Sequence, residues 1–267
     1  MLLSIYANSL AKSLNKREHR LHLSAEHMLY LAHRGLVSLH LENSLAALTS
    51  ALHQGLDGVE FDVQLSQDDV PFVFHDRHLL RLTGVDHYID QLSSSEVARL
   101  YQTSDNYCSG YRIASLAEVL NHMPPKKLIN IELKETTISK GLKSIAAVLE
   151  VIKPHKNKLD MIISSFDPAI LSLVWKLDKS YALGLLLDHK NLWISLLRSL
   201  PIIDKIDFLH PHINLLSPQF LNQVNQAGLK LILWGHKSMG EELSFINQHH
   251  GALISDLALE LSQLYRR

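Results

Sequence analysis

Residues 58–75 read G-V-E-F-D-V-Q-L-S-Q-D-D-V-P-F-V-F-H, and two carboxylates inside this apolar run decide how the chain is read. Side chains two apart on a strand share a face, so Glu60 and Asp62 point at one spot. Buried carboxylates are costly unless they are paired or hold a cation, which makes a divalent metal site with oxygen ligands the simplest reading. His33, in H-R-G, and His75 bracket this strand. Imidazoles beside such a metal exchange protons near pH 7, so the quartet suits metal-assisted cleavage of a phosphate ester.

Outward from this stretch, short apolar runs alternate with amphipathic segments, the pattern of β/α units around a mostly parallel sheet. The pattern predicts strands over 29–33, 58–63, 71–75, 128–133, 159–164, 181–187, 206–210, 229–234 and 252–255. Helices are expected over 43–54, 94–101, 115–122, 138–152, 167–178, 190–199, 217–227 and 239–248, with Asn43, Ser115, Asp167 and Ser217 as N-caps. The fold expected is a TIM-type (β/α)8 barrel. Nine strand candidates exceed its eight, so one is peripheral. Only S-Q-D-D-V-P separates the Glu60 strand from Phe72, too little for a parallel crossover, which predicts a hairpin or an irregularity near strands 2 and 3. Residues 76–114, rich in Asp, Ser, Tyr and Thr, read as a small lobe inserted above the barrel mouth.

The 267 residues are 46% apolar, enough for one well-buried core. A formal charge of −1 without a run of Lys or Arg lacks the footprint of a nucleic-acid binder and favours a small substrate. The lone Cys108, in a polar and loop-like stretch, excludes an internal disulfide and a cysteine zinc site, and fits a reducing, cytoplasmic compartment. No run approaches the roughly 18–20 apolar residues that span a bilayer. The start M-L-L-S-I-Y-A is a weak signal-peptide candidate, with no basic segment before it and with Asn8 and Lys12 breaking the run. Residues 1–27 are expected to be an extension. Its amphipathic helix over 2–14 is a candidate, in this order, for packing on the body, self-association or peripheral membrane contact. Lys16 to Arg20 reads as a solvated linker.

Further site candidates follow from position. Glu132 and Lys134, in N-I-E-L-K, repeat the i, i+2 arrangement on a later strand, adding a third carboxylate and an ammonium; an ordinary ion pair is the alternative. Arg34 forks two donors suited to a phosphate. Glu42 either complements the first helix dipole or holds Arg34 or the metal. Phe166 and Trp234, each at a strand end, are core aromatics or a pocket wall.

L-A-H-R-G (31–35), E-N-S (42–44), the run 57–76, I-A-S-L-A-E-V-L (113–120), N-I-E-L-K (130–134), I-S-S-F (163–166), L-W (233–234) and L-I-S-D (253–256) form an ordered series. That series resembles the glycerophosphodiester phosphodiesterase family from residue 28 to 258. The resemblance implies a TIM-type barrel with an inserted lobe, the domain running over 28–267, and hydrolysis of glycerophosphodiesters to glycerol 3-phosphate and an alcohol. By position it implies His33 and His75 as the acid/base pair, Glu60, Asp62 and Glu132 as ligands of Mg²⁺ or Ca²⁺, and Arg34 and Lys134 as phosphate contacts. The sequence departs from the family's pattern at Asp68-Asp69, where an Asp-Gly turn is usual, at L-E-N-S in place of Pro-Glu-Asn-Thr, and at Trp234-Gly235-His236-Lys237 in place of Trp-Thr-Val-Asn. The last change keeps the aromatic and puts a basic pair where the family has small polar residues. Rival readings are a lysophospholipase D-like enzyme, which needs a long apolar groove, and an inactive barrel used as a binding module, which would have lost a histidine or a ligand.

Overall fold

The computed structural model describes residues 21, 23, 27–104, 107–134, 141–189, 201–226, 230–236 and 251–265. Strands β1 (Leu29–His33), β2 (Gly58–Leu65), β6 (Leu128–Leu133), β7 (Asp160–Ser165), β8 (Ala182–Leu187), β9 (Phe208–Pro211), β10 (Lys230–His236) and β11 (Ala252–Ser255) pair in parallel, in that order. The β1–β11 and β1–β2 ladders close the ring. The peripheral ninth candidate is β3 (Pro71–Val73), which runs antiparallel to β2 as the short connection required. Asp69 turns that corner at φ +64, a left-handed conformation that glycine takes more readily.

Helices α1 (Leu45–His53), α4 (Leu116–His122), α5 (Leu142–Ile152), α6 (Pro168–Leu177), α7 (Pro218–Gln226) and α8 (Ala258–Tyr265) pack outside the strands. Ser115, Asp167 and Ser217 cap their helices as the sequence suggests. Asn43 does not: Ser44 accepts from Ala47 N, while Asn43 sits at φ +57, outside the extended conformation a cap needs. Between β3 and α4 lie α2 (Leu80–Thr83), α3 (Ser94–Val97) and an antiparallel hairpin of β4 (Tyr101–Ser104) and β5 (Tyr107–Arg112). The helix expected over 94–101 therefore stops at Val97, and Cys108 belongs to a strand rather than a loop. The expected helices 2–14, 190–199 and 239–248, together with Lys237, lie outside the described residues.

Strand alternation sorts the core into layers. Val59, Phe61 and Val63 face the surrounding helices, whereas Leu31, Ile162, Phe208, Ile232 and Ile254 cluster inside the barrel. A third cluster, with Phe72, Phe74, Leu79, Leu82, Ile89 and Val97, anchors the segment after β3. Among the described residues no helix is long and apolar enough to cross a membrane.

His210 is a polar exception among the packed strands. It is fully buried, neither ring nitrogen has a hydrogen-bond partner among the described residues, and a Cβ on Gly184 would stand 2.4 Å from its Nε2. Gly184 thus makes room for the ring. Burial holds the imidazole neutral and pushes its pKa down to about 3, from about 6.5 in the unfolded chain. A group depressed on folding contributes full stability above its unfolded pKa and loses it as pH falls toward the folded value. Urea unfolding should therefore weaken by about 2 kcal/mol between pH 7 and pH 5 through this group alone. His210→Leu should flatten the pH dependence by that amount; an unchanged slope would show that the imidazole is not buried neutral.

Candidate active site

The H-R-G turn follows β1, and its glycine has a steric cause. Gly35 adopts φ +87, and a Cβ there would stand 2.5 Å from the Ala47 carbonyl carbon, so α1 seats directly on the turn. Arg34 beside it takes φ +56, a strained value for a side chain of that size, and is held by its N–H donating to Glu60 O at 2.9 Å. This turn places His33 and Arg34 beside Glu60 of β2, with which His33 pairs in register.

Glu60 and Asp62 come from the inward face of β2, and Glu132 from the neighbouring strand, where it pairs in register with Asp62. All three are buried, each offering an oxygen within 4.8 Å of the others. Lys134 Nζ lies 2.5 Å from both Asp62 Oδ1 and Glu132 Oε1, and Arg34 Nε lies 3.2 Å from Asp62 Oδ2. Burial works against the Asp62 carboxylate, but Lys134 and Arg34 outweigh it and hold its pKa well below the usual range. Glu60 is left with less compensation. Burial, then the Asp62 charge, push it up to about 8, and its nearest imidazole, His33 Nε2, is 3.9 Å away. Glu132 is also raised, chiefly by burial. Three hard oxygen donors converging with too little positive charge between them fit a divalent cation.

Each histidine carries a carboxylate on its far nitrogen. His33 Nδ1–H donates to Asp256 Oδ1 at 2.7 Å, and His75 Nδ1–H to Asp76 Oδ1 at 2.6 Å. These bonds fix the tautomers and leave both Nε2 atoms for chemistry. Burial disfavours the charged form of His33, but Asp256 and Glu60 overcome it and its pKa is raised. For His75, burial dominates, Lys134 and Arg34 add to it, and the pKa is lowered.

A cavity of about 240 Å³ is lined by His33, Arg34, Glu60, His75, Asn130, Glu132, Lys134, Phe166, Leu186, Trp234 and Ile254. Phe166 and Trp234 meet edge to face, centroids 5.5 Å apart, so both aromatics belong to its wall. Trp234 is pinned by Nε1–H donating to His210 O at 2.8 Å. Glu42 lies outside the carboxylate triad and binds Arg34, Oε1 accepting from Nη1 at 3.1 Å.

Sequence reasoning missed four residues. Asn43 donates to Asp62 Oδ2 at 2.8 Å and so orients the most acidic carboxylate. Asp256 was within reach of a closure argument: β1 and β11 are neighbours with Ala32 opposite Ser255, so the next residues, His33 and Asp256, must adjoin. Asp76 and Arg81 are the others.

The glycerophosphoryl diester phosphodiesterase family model matches residues 33–256. The chain belongs to this family. It is accordingly a phosphodiesterase of the barrel type described above. A glycerophosphodiester phosphodiesterase of Caldanaerobacter subterraneus subsp. tengcongensis is 30% identical over 213 residues, covering 77% of this chain and 84% of the relative. Among solved structures, a phosphodiesterase of Oleispira antarctica in complex with the product sn-glycerol-3-phosphate superposes with a TM-score of 0.77 at 28% identity, covering 90% of this chain and 97% of that one. A glycerophosphodiester phosphodiesterase of Thermotoga maritima gives a TM-score of 0.72 at 29% identity, covering 91% of this chain and all of its own.

Proposed function

We propose that the chain hydrolyses glycerophosphodiesters to glycerol 3-phosphate and an alcohol, by metal-assisted acid/base catalysis with His33 and His75. The observation that carries this reading is the convergence of both histidines, two cationic side chains and members of the buried carboxylate triad on one small cavity. A divalent cation, Mg²⁺ or Ca²⁺, held by Glu60, Asp62 and Glu132 would supply Lewis-acid neutralisation of the phosphate charge. Arg34 and Lys134 take up further charge as it grows in the transition state. One imidazole Nε2 removes the proton from the attacking nucleophile, either water or the neighbouring glycerol hydroxyl with water then opening the cyclic phosphate, and the other donates a proton to the departing alkoxide. Phe166 and Trp234 offer the apolar wall against which the carbon skeleton of the substrate would rest.

In this reading residues 28–267 form the catalytic domain, and the lobe at 76–114 with the rim after Trp234 selects the leaving alcohol. The lone Cys108 supports a cytoplasmic setting. Product analysis with glycerophosphocholine, glycerophosphoethanolamine, glycerophosphoinositol and lysophosphatidylcholine, with and without added metal, tests the proposal. Glycerol 3-phosphate should accumulate from the three deacylated diesters. Among the described residues the cavity of about 240 Å³ matches a small diester, so lysophosphatidylcholine, whose acyl chain would have to lie in the open groove beside it, should turn over more slowly. Preferential lysolipid cleavage would replace this reading with the lysophospholipase D one.

A further inference from the structure

Resting on the phosphodiesterase reading, we propose that Arg81 of the lobe is a positioning residue that locks Arg34 and His75 into one arrangement. The two site residues come from different elements, the turn after β1 and the segment after β3, and each leans on a carboxylate outside the triad. Arg81 holds both carboxylates. Its Nη2 and Nη1 fork onto Glu42 Oε1 at 2.7 Å and Oε2 at 3.2 Å, while its Nε donates to Asp76 Oδ2 at 2.5 Å. Glu42 Oε1 also accepts from Arg34, and Asp76 Oδ1 from His75. The chain of contacts is therefore Arg34, Glu42, Arg81, Asp76, His75.

Geometry carries the effect more than charge does. Arg81 is 47% exposed, and an exposed ion pair contributes little by attraction alone. A planar guanidinium, however, presents donors on three sides at fixed angles, so one side chain sets two carboxylates relative to each other. An ammonium lacks that fork. Leu79 and Leu82 on either side of Arg81 are buried in the lobe's apolar cluster, which roots α2 and fixes where the guanidinium stands. Arg81 is absent from the lining of the small cavity and lies beside an open groove that it shares with His75 and Lys134. Among the described residues the lobe thus completes the site by orientation, without lining the small cavity.

The test uses the full chain with saturating divalent metal and glycerophosphocholine, and compares Arg81→Lys, Arg81→Gln and Arg81→Ala with the parent. Loss of an orienting partner of this kind lowers activity by about 10- to 100-fold. That loss should appear in kcat, with KM within about threefold and Tm nearly unchanged for Arg81→Lys. Millimolar guanidinium should restore part of the rate to Arg81→Ala. Adding Arg81→Ala to Asp76→Asn should cost less than the product of the two single effects, since both break one chain of contacts. Arg81→Lys at the parental kcat would overturn the proposal, as would a loss confined to KM, which would make Arg81 a substrate contact. Strictly multiplicative losses in the double variant would overturn it too. Absence of turnover in the parent on every diester would instead overturn the phosphodiesterase reading.

Discussion

His33→Ala and His75→Ala should each lower kcat by about 10² to 10⁴, the usual worth of a positioned acid or base, while the protein stays folded. Both rings line the mouth of the barrel, half-buried, and neither belongs to an apolar cluster, so their loss opens no core cavity. The two variants should then part company on a diester with a p-nitrophenolate leaving group. A good leaving group needs no proton, so the variant lacking the general acid should recover most of its loss, whereas the variant lacking the base should stay impaired. Steady-state kinetics on both substrates, with circular dichroism to confirm folding, reads the outcome. Near-parental rates in either folded variant would remove that histidine from the mechanism. Asp256→Asn and Asp76→Asn should follow their own histidines with smaller losses, because each carboxylate fixes a tautomer without touching the substrate.

The barrel was legible because burial on both faces of parallel strands leaves near-continuous apolar runs that stand out from amphipathic helices. A connection of six residues gave away β3. The lobe was harder. Its β4–β5 hairpin is built from Y-Q-T-S-D-N-Y-C-S-G-Y-R, whose polar residues carry turn signals as strongly as strand signals. Asn43 and Ser44 are both good capping residues, and composition alone cannot say which one caps. The structure resolves the tie by giving Asn43 to Asp62.

Within the site, the carboxylates were legible through parity, since charge on the inward face of a buried strand demands a partner. Their supports were not. Asp76 and Arg81 act across elements that only the closed barrel and the lobe bring together, and no local period marks them. His210 was equally hidden, one of 17 histidines, because neutral burial leaves no sequence signature.

Removal of divalent metal should abolish turnover, and Mg²⁺ or Ca²⁺ should restore it. The expectation rests on charge balance as much as on geometry. Glu60, Asp62 and Glu132 bring three carboxylates within 4.8 Å in a buried setting, while Lys134 and Arg34 compensate chiefly Asp62. Burying that excess without a cation is costly, so metal binding should also stabilise the fold. At 100 times Kd, linkage gives about 2.7 kcal/mol. Thermal unfolding with increasing Ca²⁺ or Mg²⁺ reads this without any catalytic assay. Asp62→Asn keeps the shape but removes the charge that Lys134, Arg34 and Asn43 all address, so it should lose both the metal-dependent rise in Tm and at least 10³ in kcat. Zn²⁺ should substitute poorly, because its preferred partners are nitrogen and sulfur and the triad offers neither. Full turnover after exhaustive chelation, with no shift of Tm on adding metal, would show that Lys134 and Arg34 carry the phosphate charge alone.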